Sequence, residues 1–241
     1  MQSIQSAIVW LYWIVCFLIF FVLVAVLYVL TLPFDRFNRI PNKILKALGW
    51  LMLKPVPGWS FEIKGADINK LERPAIVVAN HQSFLDMPLL YLLPWSMKWV
   101  AKKSLFKIPI LGWIIFMTGH LGIDRESRKS VKKLDKLVKP IKNGIPGMIF
   151  PEGTRTRDGE LKPFKNGAFT LAERYNFHIL PIVLNGGFEA MRSGSWVINF
   201  RQKFTISVLD PLNPQDFESA GQLKQTTYQI IEKELQAVRN S

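Results

Sequence analysis

His81 and Asp86 stand five residues apart in Asn80-His81-Gln82-Ser83-Phe84-Leu85-Asp86, straight after the apolar run Ala75-Ile76-Val77-Val78-Ala79. An imidazole oriented by a carboxylate can take a proton from a hydroxyl, which is general-base chemistry. The spacing restricts where the pair can sit. Within one helix, residues five apart lie about 140° around the axis and share no face. The pair therefore needs His81 on a turn leaving a strand and Asp86 near the start of the next helix. The run 75–79 is short, β-branched and preceded by Pro74, and predicts a buried strand. Pro88 suits the first turn of a helix. A histidine–aspartate pair alone fits a surface hydrogen bond or a helix cap equally well, so the rest of the chain has to decide.

Three further constellations bear on that decision. In Gly122-Ile123-Asp124-Arg125 an arginine stands at the exit of a short predicted strand, two residues past Ile123. Its surroundings are basic: residues 98–142 hold 12 lysines and arginines against 3 acids. Lys129, Lys132, Lys133, Lys136 and Lys139 read mostly as a solvated helix face, whereas Arg125 at a strand exit suits bidentate phosphate binding. In Phe150-Pro151-Glu152-Gly153-Thr154-Arg155 an acid and an arginine three apart share a glycine-containing turn. They suit a polyol hydroxyl and a phosphate, and suit equally a surface ion pair of little energetic worth. In Pro163-Phe164-Lys165-Asn166-Gly167-Ala168-Phe169, Gly167 and Ala168 admit close backbone approach at a helix start.

Other chemistries lack support. There is no Walker A sequence and no G-x-G-x-x-G, so nucleotide binding is not indicated. His120 and His178 have no second ligand at metal-binding spacing and read as structural. No G-x-S-x-G elbow surrounds Ser83, which has no special claim as a nucleophile. A base without a protein nucleophile points to direct activation of a substrate hydroxyl.

The elements that must position these groups alternate along the chain. Strands are predicted at 61–64, 75–79, 121–123, 147–150, 179–184 and 204–208, with helical spacing at 130–141, 168–175 and 223–238. The pattern predicts an α/β domain with a mixed sheet flanked by helices, and ligands at the strands' C-terminal ends. Leu105–Met117 is apolar but broken by Pro109 and Gly112; it reads as a core helix, or as the lining of a groove or a bilayer contact.

No charge occurs from Met1 to Phe34, and the stretch from about Ala7 to Leu32 is long enough to cross a bilayer. It lacks a basic n-region and is too long for a cleaved signal peptide. Arg36, Arg39, Lys43, Lys46 and Lys54 follow, which puts the later residues on the cytoplasmic face. Residues 44–53 read as a second, interfacial helix. A spanning helix plus a surface helix is the expected anchor at 1–56, with 57–241 as the catalytic domain; a monotopic hairpin dipping into one leaflet is the competing arrangement. The net charge of +13 favours anionic partners, and without a nucleic-acid-binding module lipid phosphates lead. Cys16 is the only cysteine, which excludes an intrachain disulfide or a cysteine-ligated metal site.

Taken in order, the motifs N-H-Q-S-F-L-D (80–86), G-H-L-G-I-D-R (119–125), F-P-E-G-T-R (150–155) and I-L-P-I (179–182) resemble the four motifs of the 1-acyl-sn-glycerol-3-phosphate acyltransferase family. Lys102 and Lys103 fit the same pattern, as does Phe164–Ala168; Thr156 stands where the family usually has serine. The resemblance covers residues 61–208. It implies a glycerol-3-phosphate acyltransferase-like fold and transfer of an acyl group from a thioester to the free hydroxyl of lysophosphatidate. His81 would be the base and Asp86 its orienting partner. Arg125, Arg155 and Lys102 would hold the phosphate, and Glu152 and Gly153 would place the glycerol hydroxyl. Thr154, Lys165 and Gly167 lie in matching motifs and would line the substrate site. The co-substrate would be acyl-CoA or an acyl carrier protein thioester, with no metal or redox cofactor. Three alternatives remain open: another lysophospholipid or amino-lipid acceptor, a hydrolase, and a non-catalytic protein that binds anionic lipid.

Overall fold

The structure, a computed structural model, describes residues 2–65, 71, 74–124 and 130–240. Seven strands form one sheet: β1 (Trp59–Gly65), β2 (Ala75–Ala79), β3 (Lys98–Lys102), β4 (Leu121–Ile123), β5 (Gly147–Ile149), β6 (His178–Asn185) and β7 (Gln202–Val208). Their order is β1-β7-β6-β2-β5-β3-β4. Neighbours run parallel except β6 and β7. The sheet is therefore mixed, as the sequence predicts. Nine helices are described: α1 (Gln2–Thr31), α2 (Arg39–Leu53), α3 (Asp86–Leu90), α4 (Leu111–Met117), α5 (Ser130–Lys133), α6 (Val138–Lys142), α7 (Gly167–Tyr175), α8 (Gly187–Ala190) and α9 (Ala220–Arg239).

β2 shows why the sheet is covered on both sides. All five of its residues are buried, and their side chains alternate between two cores. Val77 and Ala79 pack in one cluster with Leu48, Leu53 and Trp13 of the N-terminal helices. Ile76 and Val78 pack in the other with Leu134, Phe169 of α7 and Ile231 of α9. The helices expected to form a separate anchor thus share a hydrophobic core with the sheet.

α1 is the one described helix long and apolar enough to cross a membrane. It is nevertheless fastened along its whole length to the domain. Near its start, the Gln2 side-chain amide donates to the Ile198 carbonyl (3.0 Å), and the Trp10 indole donates to the Trp196 carbonyl (2.7 Å). Midway, the Tyr12 hydroxyl and Trp13 indole donate to the carbonyls of Leu51 and Met52 in α2. Towards its end, Tyr28 meets Phe116 of α4 edge-on. Trp13, Cys16, Phe20 and Val24 form the buried stripe, while Ile8, Leu11, Leu18, Val22 and Val29 on the other side are exposed. In the Leu105–Met117 stretch, α4 buries Ile114 and Ile115 and exposes Trp113 and Phe116 beside α1.

Candidate active site

β2 and β5 are adjacent and parallel, with Val78 paired to Ile149, so the turns leaving them emerge side by side. The first carries residues 80–86. Asn80 continues the strand by side-chain means: its amide donates to the Leu184 carbonyl and its oxygen accepts from the Leu184 N–H, both at 2.8 Å. His81 then leaves the sheet and Asp86 opens α3, the strand–turn–helix setting the spacing required.

His81 Nδ1 lies 2.7 Å from Asp86 Oδ2. The same oxygen accepts the backbone N–H of Gln82 (2.6 Å) and of Ser83 (2.8 Å). An oxygen gathering three donors fixes the tautomer: Nδ1 carries the proton and Nε2 keeps its lone pair. Asp86 is wholly buried and the His81 side chain is 13% exposed. Burying a carboxylate is costly, and these three charge-assisted hydrogen bonds offset that cost. The imidazole also stacks on Phe150, with ring centroids 3.9 Å apart and planes 10° from parallel. Nothing in the sequence reading singled out Phe150 as a ring support, although it opens the second turn.

That second turn, 150–156, grips the first. Glu152 Oε1 accepts the His81 N–H at 2.6 Å, and Oε2 accepts the Lys162 N–H at 3.0 Å. The Thr156 N–H donates to the His81 carbonyl at 2.9 Å. Both backbone polar groups of His81 are therefore held by residues about 70 positions away in sequence. Glu152 is buried, and burial pushes its carboxyl up to about 7 against the opposing pull of the two backbone donors. Its oxygens serve the backbone, an arrangement distinct from the expected contact with a glycerol hydroxyl. Gly153 takes a φ of 73°, a left-handed conformation that glycine adopts without strain. The Thr156 hydroxyl accepts from Gly159 N–H and donates to Asp158, work that serine could also do.

A cavity of about 400 Å³ opens beside the dyad. Its walls come from α1 (Phe17), α2 (Leu45, Leu48, Met52), α3 (Met87, Pro88) with Tyr91 just after it, and α4 (Ile114, Ile115). Among the expected site residues, His81, Lys102, Thr154 and Arg155 line it. Lys165 lies just behind: a Cβ placed on Gly153 would come within 3.2 Å of its Nζ. Gly167 opens α7 and packs against Leu134, away from the cavity lining. Arg125 lies outside the described residues; β4 ends at Ile123, in register with Lys102.

His120 also lines the cavity. Its Nδ1 accepts the Trp99 N–H at 3.3 Å and its Nε2 faces the Tyr91 hydroxyl at 3.4 Å. Burial, helped by the nearby Lys98, holds this imidazole well below its ordinary pKa and keeps it neutral.

The Acyltransferase family profile matches residues 60–185, slightly more than half of the chain and the span that carries both turns. The chain belongs to the acyltransferase family. It is 35% identical over 217 residues to a 1-acyl-sn-glycerol-3-phosphate acyltransferase of Chlamydomonas reinhardtii, covering 89% of this chain and 64% of that protein. To the enzyme of that name from Helicobacter pylori it is 33% identical, covering 73% of this chain and 74% of the relative. The chain spans about half of two chloroplastic relatives, from Brassica napus (48%) and Arabidopsis thaliana (46%). The fold of this chain matches the crystal structure of the 1-acyl-sn-glycerophosphate acyltransferase of Thermotoga maritima, with a TM-score of 0.82 at 22% identity. That match covers 100% of this chain and 99% of the other.

Proposed function

We propose that this acyltransferase moves a fatty acyl group from a thioester to the sn-2 hydroxyl of 1-acyl-sn-glycerol-3-phosphate, forming phosphatidate. The observation that carries the reading is the His81–Asp86 dyad at an apolar cavity whose lining includes Lys102 and Arg155. An amphiphile with a chain and a phosphate matches that combination. Nε2 of His81 takes the proton from the acceptor hydroxyl as its oxygen attacks the thioester carbonyl. The tetrahedral intermediate collapses with release of the thiolate, which takes up the proton from the imidazolium. Asp86 stabilises that imidazolium while it exists. Arg155 and Lys102 hold the phosphate, Arg155 by a bidentate pair. The thioester, on coenzyme A or on an acyl carrier protein, is the only co-substrate the scheme requires.

We place the exposed face of α1 in one leaflet of a membrane. A spanning helix carries its two ends to opposite sides of the bilayer, whereas Gln2, Trp10 and Tyr28 all contact the same domain. This supports the monotopic arrangement over the spanning one, with the basic residues from Arg36 to Lys54 beside the headgroups on the cytoplasmic side.

The test supplies purified protein with an acyl thioester and defined lysolipids, follows free thiol and identifies the lipid product by mass spectrometry. Acceptor-dependent thiol release with phosphatidate as product is expected. Equal thiol release with and without acceptor would instead mark a hydrolase, and turnover only with another lysolipid would move the acceptor assignment.

A further inference from the structure

The end of β6 and the corner after it also hold the 80–86 turn. Leu184 pairs with Asn80, and the carbonyl of Met191 accepts from the Ser83 hydroxyl at 2.9 Å. Between them Gly187 opens α8 and faces Asp86. A Cβ at Gly187 would stand 2.8 Å from Asp86 Oδ1, 3.2 Å from Ser83 Cβ and 3.7 Å from Gln82 Cβ. A Cβ carbon does not settle at 2.8 Å from another heavy atom; one of the two must move. Asp86 is poorly placed to do so, since its Oδ2 is held by His81, Gln82 and Ser83 at once. Oδ1, by contrast, accepts no hydrogen bond among the described residues, so packing alone sets that side of the carboxylate.

We propose that Gly187 is a positioning residue for the catalytic dyad: its bare Cα leaves the space Asp86 Oδ1 occupies, and a side chain there drives the carboxylate off His81. Gly187 touches no substrate in this scheme and acts only through Asp86. The rate readout below rests on the acyl-transfer reading; the spectroscopic one rests on the dyad geometry alone.

The experiment compares full-length wild type with Gly187→Ala. The alanine variant is expected to lose about 10- to 100-fold in kcat, as for a catalytic group misplaced by a fraction of an ångström to an ångström, with KM little changed. In parallel, the low-field NMR signal of the His81 Nδ1 proton is expected to vanish or move sharply upfield. An Asp86→Ala background removes the oxygen that would clash, so there the added Gly187→Ala change is expected to cost less than about twofold. Equal losses in both backgrounds, or an unchanged Nδ1 proton signal, would overturn the proposal. Should Gly187→Ala fail to fold, the double variant decides: regained folding supports a clash with Asp86, and continued failure overturns it. A wild type that acylates no acceptor would end the acyl-transfer reading and leave the NMR comparison standing.

Discussion

The turns leaving β2 and β5 sit side by side, each follows a buried strand, and each carries an acid and a basic group. They divide the labour unequally. In the 80–86 turn the acid serves the ring, and its backbone is gripped from outside: Glu152 and Thr156 hold the two backbone groups of His81. In the 150–156 turn the acid is spent on that grip, while Thr154 and Arg155 line the cavity. In the proposed reaction the first turn performs the proton transfer, and the second holds the first in place and meets the substrate. A motif residue's type therefore does not reveal whether it faces the ligand or the neighbouring loop.

The comparison can be broken most directly at the ring. His81→Ala is expected to lower kcat by about 10³-fold, the scale of a general base, with thiol release in the presence of acceptor as the measurement. An unchanged rate would remove the first turn from the chemistry. Asp86→Asn comes next, at about 10²-fold in kcat with KM nearly constant. The amide oxygen can take the place of Oδ2 toward the three donors, but it is neutral and stabilises the imidazolium less than the carboxylate does. Its NH₂ falls at the position of Oδ1, which has no hydrogen-bond partner among the described residues.

Glu152→Gln tests the second turn as a builder. An amide offers one acceptor where two backbone N–H groups need one each, so a stability loss of about 1–3 kcal/mol is expected, with a smaller fall in kcat of about tenfold. The pH dependence sharpens this. With the carboxyl raised from 4.5 to about 7 in the fold, the folded protein holds that proton more tightly than the unfolded chain. Its contribution is complete below about pH 4.5 and is lost as pH rises to about 7, at roughly 1.4 kcal/mol per pH unit at most. Urea unfolding between pH 5 and 8 should show this decline in wild type and not in Glu152→Gln; parallel curves would count against it. The smallest effect belongs to the substrate-facing arm. Arg155→Ala should raise the acceptor KM by about tenfold and leave kcat within about twofold, and a selective fall in kcat would shift Arg155 from binding to chemistry.

Much of this was legible in the chain because it is local. The His81–Asp86 spacing dictates strand, turn and helix, and β2 and β6 announce themselves as apolar runs. β3 was not foreseen, since Lys98 and Lys102 at its ends disguise it. Lys98 is nevertheless buried, giving a hydrogen bond to the Thr118 carbonyl, and burial lowers its amine to about 8. The grip of Glu152 on His81 was illegible for another reason: it depends on the β2–β5 register, which joins residues some 70 positions apart. The docking of α1 was hidden in the same way. Its composition states that it is apolar, but only the tertiary fold determines that one stripe faces protein.

That docking has a practical consequence through Cys16, buried in the seam between α1 and the domain. The chain contains no other thiol. A thiol-specific reagent can therefore reach its target only when the helix lifts, so the labelling rate measures the undocking equilibrium directly, without any engineered probe. Detergent, vesicles or bound lipid that press the helix home should slow labelling, and agents that peel it away should speed it, making the native cysteine a clock for the helix's departures.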